Sequence, residues 1–365
     1  MALDPVVLLA GPRGRRLCLE LARELLDDTQ EGDQLRQVLF YAALELDPGR
    51  GTSRVLFGLG AERSSQPNHS AEDVARLLAV VPLSEPDERA VLRALAAAVD
   101  TALYWQEPSG EDVLAAAPEL HAPLARVATL LANSPHSAWW AAPLARDEQW
   151  VVDFLETPAG PAAQGTIAEI LERWHTAQVD EEDDASRNRP ADPGAAWSGT
   201  WWSKPPNGVT RTTRGLGLSG PVGLRLVEDG MGWKKAAVHR IHIPRDARVY
   251  EIDSPQSWAE LCRRYPLEVT ASRRHNWYRT TACTGRWVIP DWAQVGQHID
   301  AIHLTVAGYL ATAGRAVPVN GDLMTVLAGW DPDQTNWLSE ITQDESTHQA
   351  WRNDGDEGWT LSIAR

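Results

Sequence analysis

Two aspartates between tryptophans are the first residues of this sequence whose types and spacing could do chemistry. Asp331 and Asp333 lie in the segment Gly329–Leu338, which also carries an amide and a hydroxyl. A carboxylate in such surroundings can accept a hydrogen bond from a ribose hydroxyl or activate a nucleophile. A turn closed by the side-chain-to-backbone hydrogen bonds of an Asp-Pro-Asp sequence is the alternative interpretation.

A second group of residues interleaves arginines with aromatic rings. The stretch Arg273–Arg279 contains three arginines together with Trp277 and Tyr278. Guanidinium groups pair bidentately with phosphate, and aromatic faces stack on a base or on nicotinamide. The pattern favours a site for a nucleotide or an RNA end, with Arg274 and Trp277 among its binding residues. The alternative is a hairpin edge with a cation–π pair and solvated arginines.

A cluster of hydroxyl and basic side chains occurs over residues 201–214. Ser203 follows two tryptophans, and Arg211 and Arg214 flank two threonines. Hydroxyl groups beside arginines can hold a phosphate or a ribose, so these residues are candidates for a nucleotide site. Their loose spacing is equally typical of a solvated loop.

One histidine lies within a predicted strand. In Asp300–Thr305 the alternation of side chains places His303 and Thr305 on one face, with Ile302 and Leu304 on the other. The polar face is predicted to line a cleft. A histidine with a purely structural role is the alternative.

Two glycine-containing segments match phosphate-binding loops only in part. Gly215–Gly220 fits the pattern G-x-G-x-x-G, but a strand-like segment follows it, whereas a dinucleotide site requires a helix there. Gly11–Gly14 is predicted between a short strand and a helix, a place that favours an anion. It lacks the lysine and hydroxyl of a P-loop. A plain loop and a tight turn are therefore the expected structures.

Charge is distributed unevenly along the chain. The whole chain carries a formal charge of −16, whereas residues 195–315 hold 16 basic and 9 acidic residues. An acidic protein is repelled by nucleic acid and by anionic membranes, but this basic segment leaves room for a phosphate-bearing ligand. Two domains of different charge that attract each other are the alternative explanation.

Composition excludes several classes of protein. The 3 cysteines have no metal-like spacing, so neither a disulfide scaffold nor a cysteine-built zinc site is expected. No run of about 18 apolar residues could span a bilayer, and the acidic start of the chain is unlike a signal peptide. We therefore expect a cytoplasmic protein with no metal and no membrane partner.

Hydrophobic spacing predicts an α+β protein. A mostly helical domain over residues 1–178 is followed by an acidic, proline-containing linker (179–196), an α+β domain (197–345) and a tail (346–365). The linker is predicted from five consecutive acids in Asp180–Asp184, which repel one another. In the first half two short runs are strand-like, Val6–Ala10 and Arg54–Gly58. The predicted helices, from apolar residues at helical spacing, are Arg15–Leu26, Leu35–Leu46, Ala71–Val80, Asp87–Leu103, Glu111–Leu131, Asp147–Leu155 and Thr166–Gln178.

The second half changes to the spacing of strands. Two helices interrupt it, one capped by Ser254 and running to about Tyr265, the other over about Pro290–His298. The predicted strands are Gly223–Val227, Ala237–Ile243, Arg248–Ile252, Gly285–Ile289, Ala301–Val306, Ala316–Val319 and Met324–Ala328.

Taken in order, these segments resemble the ADP-ribosyltransferase-like domains of bacteria. The resemblance covers roughly residues 197–340: a Trp-Ser segment, then Val249–Ser254, Asp300–Thr305 and finally Gly329–Leu338. It implies a split β-sandwich that binds NAD as a substrate, cleaves the nicotinamide–ribose bond and passes ADP-ribose to an acceptor.

The resemblance also implies roles for individual residues. Ser203 would brace the nicotinamide ribose, and Asp333 would stand at the position of the catalytic glutamate. An aspartate is shorter than a glutamate, and the Glu-x-Glu pair of the family is absent from the sequence. The expected NAD-binding residues are Arg211 and Arg214, as stand-ins for the family's arginine, together with Arg274, Trp277 and His303.

Three functions remain open on the sequence. The leading hypothesis is NAD cleavage or ADP-ribosyl transfer by the second half, with a protein or a nucleic acid as candidate acceptor. The helical first half would then be a regulatory or recruiting module. The alternatives are a nucleotide- or nucleic-acid-binding module without catalysis, and a protein-interaction factor.

Overall fold

The computed structural model describes residues 3–50, 68–156, 165–355 and 358–362. Within these ranges twelve α-helices and twelve β-strands form a mixed α+β structure with two open sheets. Helices predominate before residue 149, and strands alternate with short helices after residue 210. The expected α+β class is confirmed.

Several helices begin with the capping chemistry that the sequence encodes. Ser70, Thr166 and Ser254 each form a capping box, in which the N-cap side chain and the side chain three residues later accept reciprocal hydrogen bonds from backbone N–H groups. The helices are α1 (Pro5–Ala10), α2 (Pro12–Glu24), α3 (Gln30–Leu46), α4 (Ala71–Val80), α5 (Glu88–Asp100), α6 (Gly110–Ala116), α7 (His121–Asn133), α8 (Ile167–Asn188), α9 (Pro255–Arg264), α10 (Thr270–Thr281), α11 (Trp292–Gly296) and α12 (Val306–Thr312).

The strands form an eight-stranded and a four-stranded sheet. Their bounds are β1 (Gln149–Phe154), β2 (Arg211–Arg214), β3 (Lys235–His242), β4 (Val249–Ile252), β5 (Pro266–Glu268), β6 (Arg286–Pro290), β7 (Ala301–Leu304), β8 (Val317–Asn320), β9 (Leu323–Thr325), β10 (Thr335–Trp337), β11 (Thr342–Asn353) and β12 (Trp359–Leu361). The large sheet has the order β12-β11-β3-β1-β2-β10-β7-β4, and the small sheet has the order β5-β6-β9-β8. β4 pairs in parallel with β7, which brings the ends of these two strands to the same edge.

Strand β1 lies inside the large sheet, between β3 and β2. Its side chains alternate between two hydrophobic clusters, with Trp150 packed near Val238 on one face and Val151 near Trp337 on the other. The helix predicted over Asp147–Leu155 is therefore wrong. A short apolar run cannot be assigned to a helix or a strand by its spacing alone, and here the strand partners decide.

Three further predictions of local structure are wrong. Val6–Ala10 belongs to α1, whose start is fixed by the Asp4 carboxylate accepting a hydrogen bond (2.8 Å) from the Val6 N–H. Gly223–Val227 contains a short 3-10 turn in place of a strand. The predicted tail begins inside β11, which pairs with β3. The predicted strand Arg54–Gly58 lies outside the described residues.

The acidic run Asp180–Asp184 is helical, because α8 continues through it to Asn188. The Glu182 carboxylate accepts hydrogen bonds from the backbone N–H groups of Ala271 (2.6 Å) and Ser272 (2.8 Å), in the first turn of α10. Unpaired N–H groups at a helix start favour negative charge there. The linker prediction is therefore wrong for residues 179–188, where helical hydrogen bonds and this contact offset the repulsion between the acids.

One hydrophobic cluster extends from the N-terminal helices into the segments that follow residue 250. Trp258 and Trp292 both pack edge-to-face on Trp330, and all three are fully buried. The boundary predicted near residue 190 therefore does not separate two cores. Among the described helices, none is long and apolar enough to cross a membrane.

Replacing Glu182 with alanine should lower the free energy of unfolding by about 1 kcal/mol, the usual cost of losing a helix cap. Denaturation by urea measures this change. Asp183→Ala is the matched control, because Asp183 is exposed and its side chain makes no hydrogen bond or ion pair with a described residue. An equal loss of stability in both variants would contradict the capping role.

Candidate active site

Four neighbouring strands bring polar side chains into one row across the large sheet. Glu251 of β4 pairs with His303 of β7, His303 pairs with Thr335 of β10, and Thr335 pairs with Thr212 of β2. Residues directly opposite each other on adjacent strands share a face of the sheet. We call these four residues the polar row. It places a carboxyl, an imidazole and two hydroxyls side by side.

A buried ion pair adjoins the polar row. The Asp333 carboxylate pairs with the Arg214 guanidinium, and it also accepts hydrogen bonds from the Arg214 backbone N–H (2.9 Å) and the Thr213 hydroxyl (3.0 Å). Burial raises the pKa of Asp333, and the charge of Arg214 counteracts part of that rise. Both carboxylate oxygens are therefore engaged, and Asp333 acts as the partner of Arg214 rather than as a free catalytic acid.

His303 occupies the middle of the polar row and is fully buried. Its Nδ1 lies 2.9 Å from the Thr335 hydroxyl, while its Nε2 has no hydrogen-bond partner in the described part of the chain. Nε2 lies 3.9 Å from a Glu251 oxygen and 3.8 Å from an Asp333 oxygen. Burial, reinforced by the charge of Arg214, lowers the pKa of His303 to about 3. The imidazole is therefore neutral near pH 7, and these two contacts are not ion pairs.

Glu251 supplies the carboxyl of the polar row. Its side chain is 28% exposed, and one oxygen accepts a hydrogen bond from the Leu144 backbone N–H (3.1 Å). The other oxygen has no hydrogen-bond partner among the described residues. Partial burial raises the pKa of Glu251 to about 7, against the opposing effects of the Leu144 N–H and Arg214. A carboxyl with this pKa can release or accept a proton at neutral pH.

The segment Trp139–Leu144 makes contacts at both ends of the site. Besides the Leu144 contact with Glu251, Arg214 Nη2 donates to the backbone carbonyls of Ala142 (3.3 Å) and Pro143 (3.0 Å). The Arg214 guanidinium also lies 5.1 Å from the centre of the Trp139 ring. This segment, which belongs to the helical half, therefore occupies one oxygen of Glu251 and Nη2 of Arg214.

Ser203 does not reach the polar row. It is fully buried, and its hydroxyl accepts a hydrogen bond from the Ala328 N–H (2.9 Å), while its own N–H donates to the Ala328 carbonyl (3.0 Å). No hydrogen bond joins Ser203 to Asp333 or Arg214 among the described residues. The expectation that Ser203 braces a ribose beside Asp333 is therefore wrong, because its hydroxyl fastens two backbone segments together.

The arginine–aromatic stretch forms helix α10 and faces inward. Trp277 is fully buried and donates its indole N–H to the Trp201 carbonyl (2.9 Å). Arg274 donates to two backbone carbonyls, and Arg273 is buried against Glu181 (3.2 Å). The prediction of Trp277 as a stacking face for a nucleotide is therefore wrong, because the ring is fully buried, whereas the role of the half-buried Arg274 stays a prediction. Their spacing reflects helix packing, which interleaved aromatics and cations do not distinguish from a binding surface.

Arg211 and Asp331 belong to a second polar cluster. Asp331 accepts hydrogen bonds from the Glu228 backbone N–H (2.8 Å) and the Gln334 amide (2.8 Å). Burial raises the pKa of Asp331, and the charges of Lys204 and Arg211 counteract part of that rise. Burial and the charge of Asp331 raise the pKa of Glu228 to about 8. No described donor forms a well-aligned hydrogen bond to the Glu228 carboxyl oxygens. Arg211 therefore contributes its charge to the cluster around Asp331.

The structure thus brings together Arg214, His303 and Asp333 of the predicted site residues, and it adds Glu251. The sequence contains a weak signal for Glu251: a carboxylate between Tyr250 and Ile252 of a strand-like run. That signal is not specific, because the pairing of β4 with β7 is needed to place it beside His303. No group of three or more His, Cys, Asp or Glu within the described residues is arranged to hold a metal ion.

Glu228 should make the protein less stable as the pH rises. Its folded-state pKa of about 8 exceeds the ordinary value of 4.5, so the folded state holds a proton that the unfolded state releases. Stability attributable to this group is present in full below pH 4.5 and falls by at most about 1.4 kcal/mol per pH unit up to the folded pKa. Glu228→Gln should flatten this part of the curve in urea denaturation at pH 5 to 8. An unchanged slope would contradict the burial of a neutral carboxyl.

Comparison with known proteins adds no further assignment. No protein-family model, curated protein or solved structure matches the chain. The interpretation of the site therefore rests on its own geometry and on the resemblance described above.

Proposed function

We propose that the polar row, with Arg214, is the active site of an enzyme that cleaves NAD or transfers its ADP-ribose, with Glu251 as the catalytic carboxyl. The observation that carries this proposal is the half-buried Glu251, whose pKa is raised to about 7, paired across the strands with a neutral imidazole and close to a buried arginine. The resemblance to ADP-ribosyltransferase-like domains supplies the substrate class. The two open sheets are compatible with the split β-sandwich of that family.

Glu251 has the chemistry that this reaction requires. Cleavage breaks the bond between ribose C1′ and the nicotinamide nitrogen, and the bonding electrons leave with nicotinamide. Positive charge develops on the ribose, and the ionised carboxyl of Glu251 stabilises it. As the acceptor hydroxyl or water bonds to C1′, its proton passes to Glu251.

The neighbouring groups take supporting parts in this proposal. Arg214 carries the positive charge that would pair with the pyrophosphate of NAD. Asp333 is a positioning residue, because it pairs with the guanidinium and also accepts hydrogen bonds from the Arg214 backbone N–H and the Thr213 hydroxyl. The free Nε2 of neutral His303 can bind a ribose hydroxyl.

The segment Trp139–Leu144 accounts for how the helical half would regulate the site. It occupies one oxygen of Glu251 and Nη2 of Arg214 through its backbone. NAD can reach those groups only when this segment moves away. In the proposed enzyme this segment, which comes from the first half of the chain, therefore has to be displaced before NAD binds.

Glu251→Gln should reduce nicotinamide release from NAD by about 100-fold or more, because general-base and charge-stabilising roles contribute at least that much. Release is followed by chromatography with water or a mixture of candidate acceptors. Glu260→Gln on α9 is the matched control, since Glu260 is exposed and pairs only with Arg263 of its own helix. Absence of release by the wild-type protein, or equal activity of Glu251→Gln, would remove the proposal. Binding of NAD without release would leave the non-catalytic alternative.

The pH dependence of kcat/KM follows from the pKa of Glu251. The reaction needs the ionised carboxyl, so kcat/KM should rise through an apparent pKa near 7 and level off above it. His303, with a pKa of about 3, contributes no limb near neutrality. A profile measured from pH 5 to 9 that falls across this range would contradict the assigned protonation state.

A further inference from the structure

A cavity of about 740 Å³ lies where the N-terminal helices meet the segments that follow α10 and α12. Its wall includes Arg13 and Arg15 of α2 and, from the second half, Thr280 and Arg315. None of the polar-row residues lines it. Its volume lies in the range of small-molecule sites, which occur preferentially between packed units of a protein.

Two arginines at this cavity converge on a single backbone carbonyl. Arg15 Nη1 donates to the Ala10 carbonyl (3.2 Å) and to the Leu9 carbonyl (3.0 Å), and Arg315 Nη1 donates to the same Ala10 carbonyl (3.4 Å). Neither guanidinium forms an ion pair with a carboxylate of the described residues. Burial and the charges of Arg315 and Arg13 lower the pKa of Arg15. Two like charges are therefore held together, and the charge of Asp112 counteracts only part of the fall in the pKa of Arg15.

The two guanidiniums retain most of their hydrogen-bonding capacity. Each carries five N–H donors, and in the described structure only one nitrogen of each donates a hydrogen bond. The Nε of Arg15 is itself buried and without a partner among the described residues. By contrast, the third arginine of the cavity, Arg13, is paired with Asp112. The free donors of Arg15 and Arg315 match the planar oxygen edge of a phosphate or a carboxylate.

Apolar side chains make up much of the remaining wall, which also carries the carboxylates of Glu107, Asp112 and Glu119. Leu46, Leu103, Val113 and Ala116 line the cavity. A site with an apolar body and a few convergent polar groups is typical of an organic ligand with a polar end. A bare inorganic ion would leave this apolar surface uncovered.

We propose that this cavity binds a small organic anion, whose phosphate or carboxylate head pairs with Arg15 and Arg315 and whose apolar body lies against Leu103, Val113 and Ala116. The site stands apart from the polar row and does not depend on the function proposed for it. Because Arg15 belongs to the first half and Arg315 to the second, a bound anion joins the two.

Isothermal titration calorimetry with the full-length protein tests this proposal. The probes are hexyl phosphate and hexanoate, which distinguish the two head groups, with inorganic phosphate and 1-hexanol as the head-only and body-only controls. We expect one hexyl phosphate or hexanoate to bind per chain, at least tenfold more tightly than either control. No binding of the two anions, or equal binding of a control, overturns the proposal.

Substitutions locate the site. Arg15→Gln and Arg315→Gln should each weaken binding at least tenfold, whereas Arg352→Gln, at an exposed arginine of β11, should change it less than twofold. Ala116→Trp places a large ring in the cavity from an exposed position at the end of α6, and it should abolish binding. Unchanged binding in Ala116→Trp, or in the two cavity arginine variants with their native melting temperature, overturns the assignment.

Discussion

The buried pair of Arg214 and Asp333 is the interaction on which the candidate active site depends. It joins β2 to the turn before β10, and through the carbonyls of Ala142 and Pro143 it fixes the segment that crosses the polar row. Asp333 has a left-handed backbone with φ of 58°, a conformation that non-glycine residues seldom adopt without support. Removing one partner of a buried pair leaves an uncompensated charge and costs about 3–5 kcal/mol. The pair therefore constrains a turn, a strand and a connecting segment at once.

The charge of the same arginine also shifts the pKa values of its neighbours. Burial lowers the pKa of His303 and the charge of Arg214 lowers it further, whereas at Glu251 that charge opposes the rise that burial produces. The imidazole consequently stays neutral, and the carboxyl titrates near pH 7. A proton acceptor works best when its pKa lies near the working pH. Burial therefore decides which residue of the row titrates near neutral pH, and the charge of Arg214 adjusts both pKa values.

Local chemistry could be predicted from the sequence wherever neighbouring residues decide the structure. The caps at Ser70 and Ser254 are examples, because a capping box is complete within four residues. Arg214, His303 and Asp333 could be selected by residue type, but their meeting with Glu251 depends on the order of four strands. The wrong predictions have the same origin, because contacts between residues distant in sequence decide these structures. The strand partners of β1 make it a strand, and the burial of Trp277 depends on the segments that pack against α10. The acids of α8 are stabilised by N–H groups some ninety residues away.

The position of β1 shows that the two halves of the chain share one sheet. β1 comes from the first half yet lies between β3 and β2, so cutting the chain near residue 190 would leave unpaired edges in the middle of the large sheet. It would also remove the segment that contacts Glu251 and Arg214. A change in activity after such a cut would have two causes that the experiment cannot distinguish. One is loss of the contacts that cover Glu251 and Arg214, and the other is damage to the sheet. In the proposed enzyme, restraint by the first half would act through the segment Trp139–Leu144. It could be separated from folding only by changes confined to that segment, with β1 left in its place.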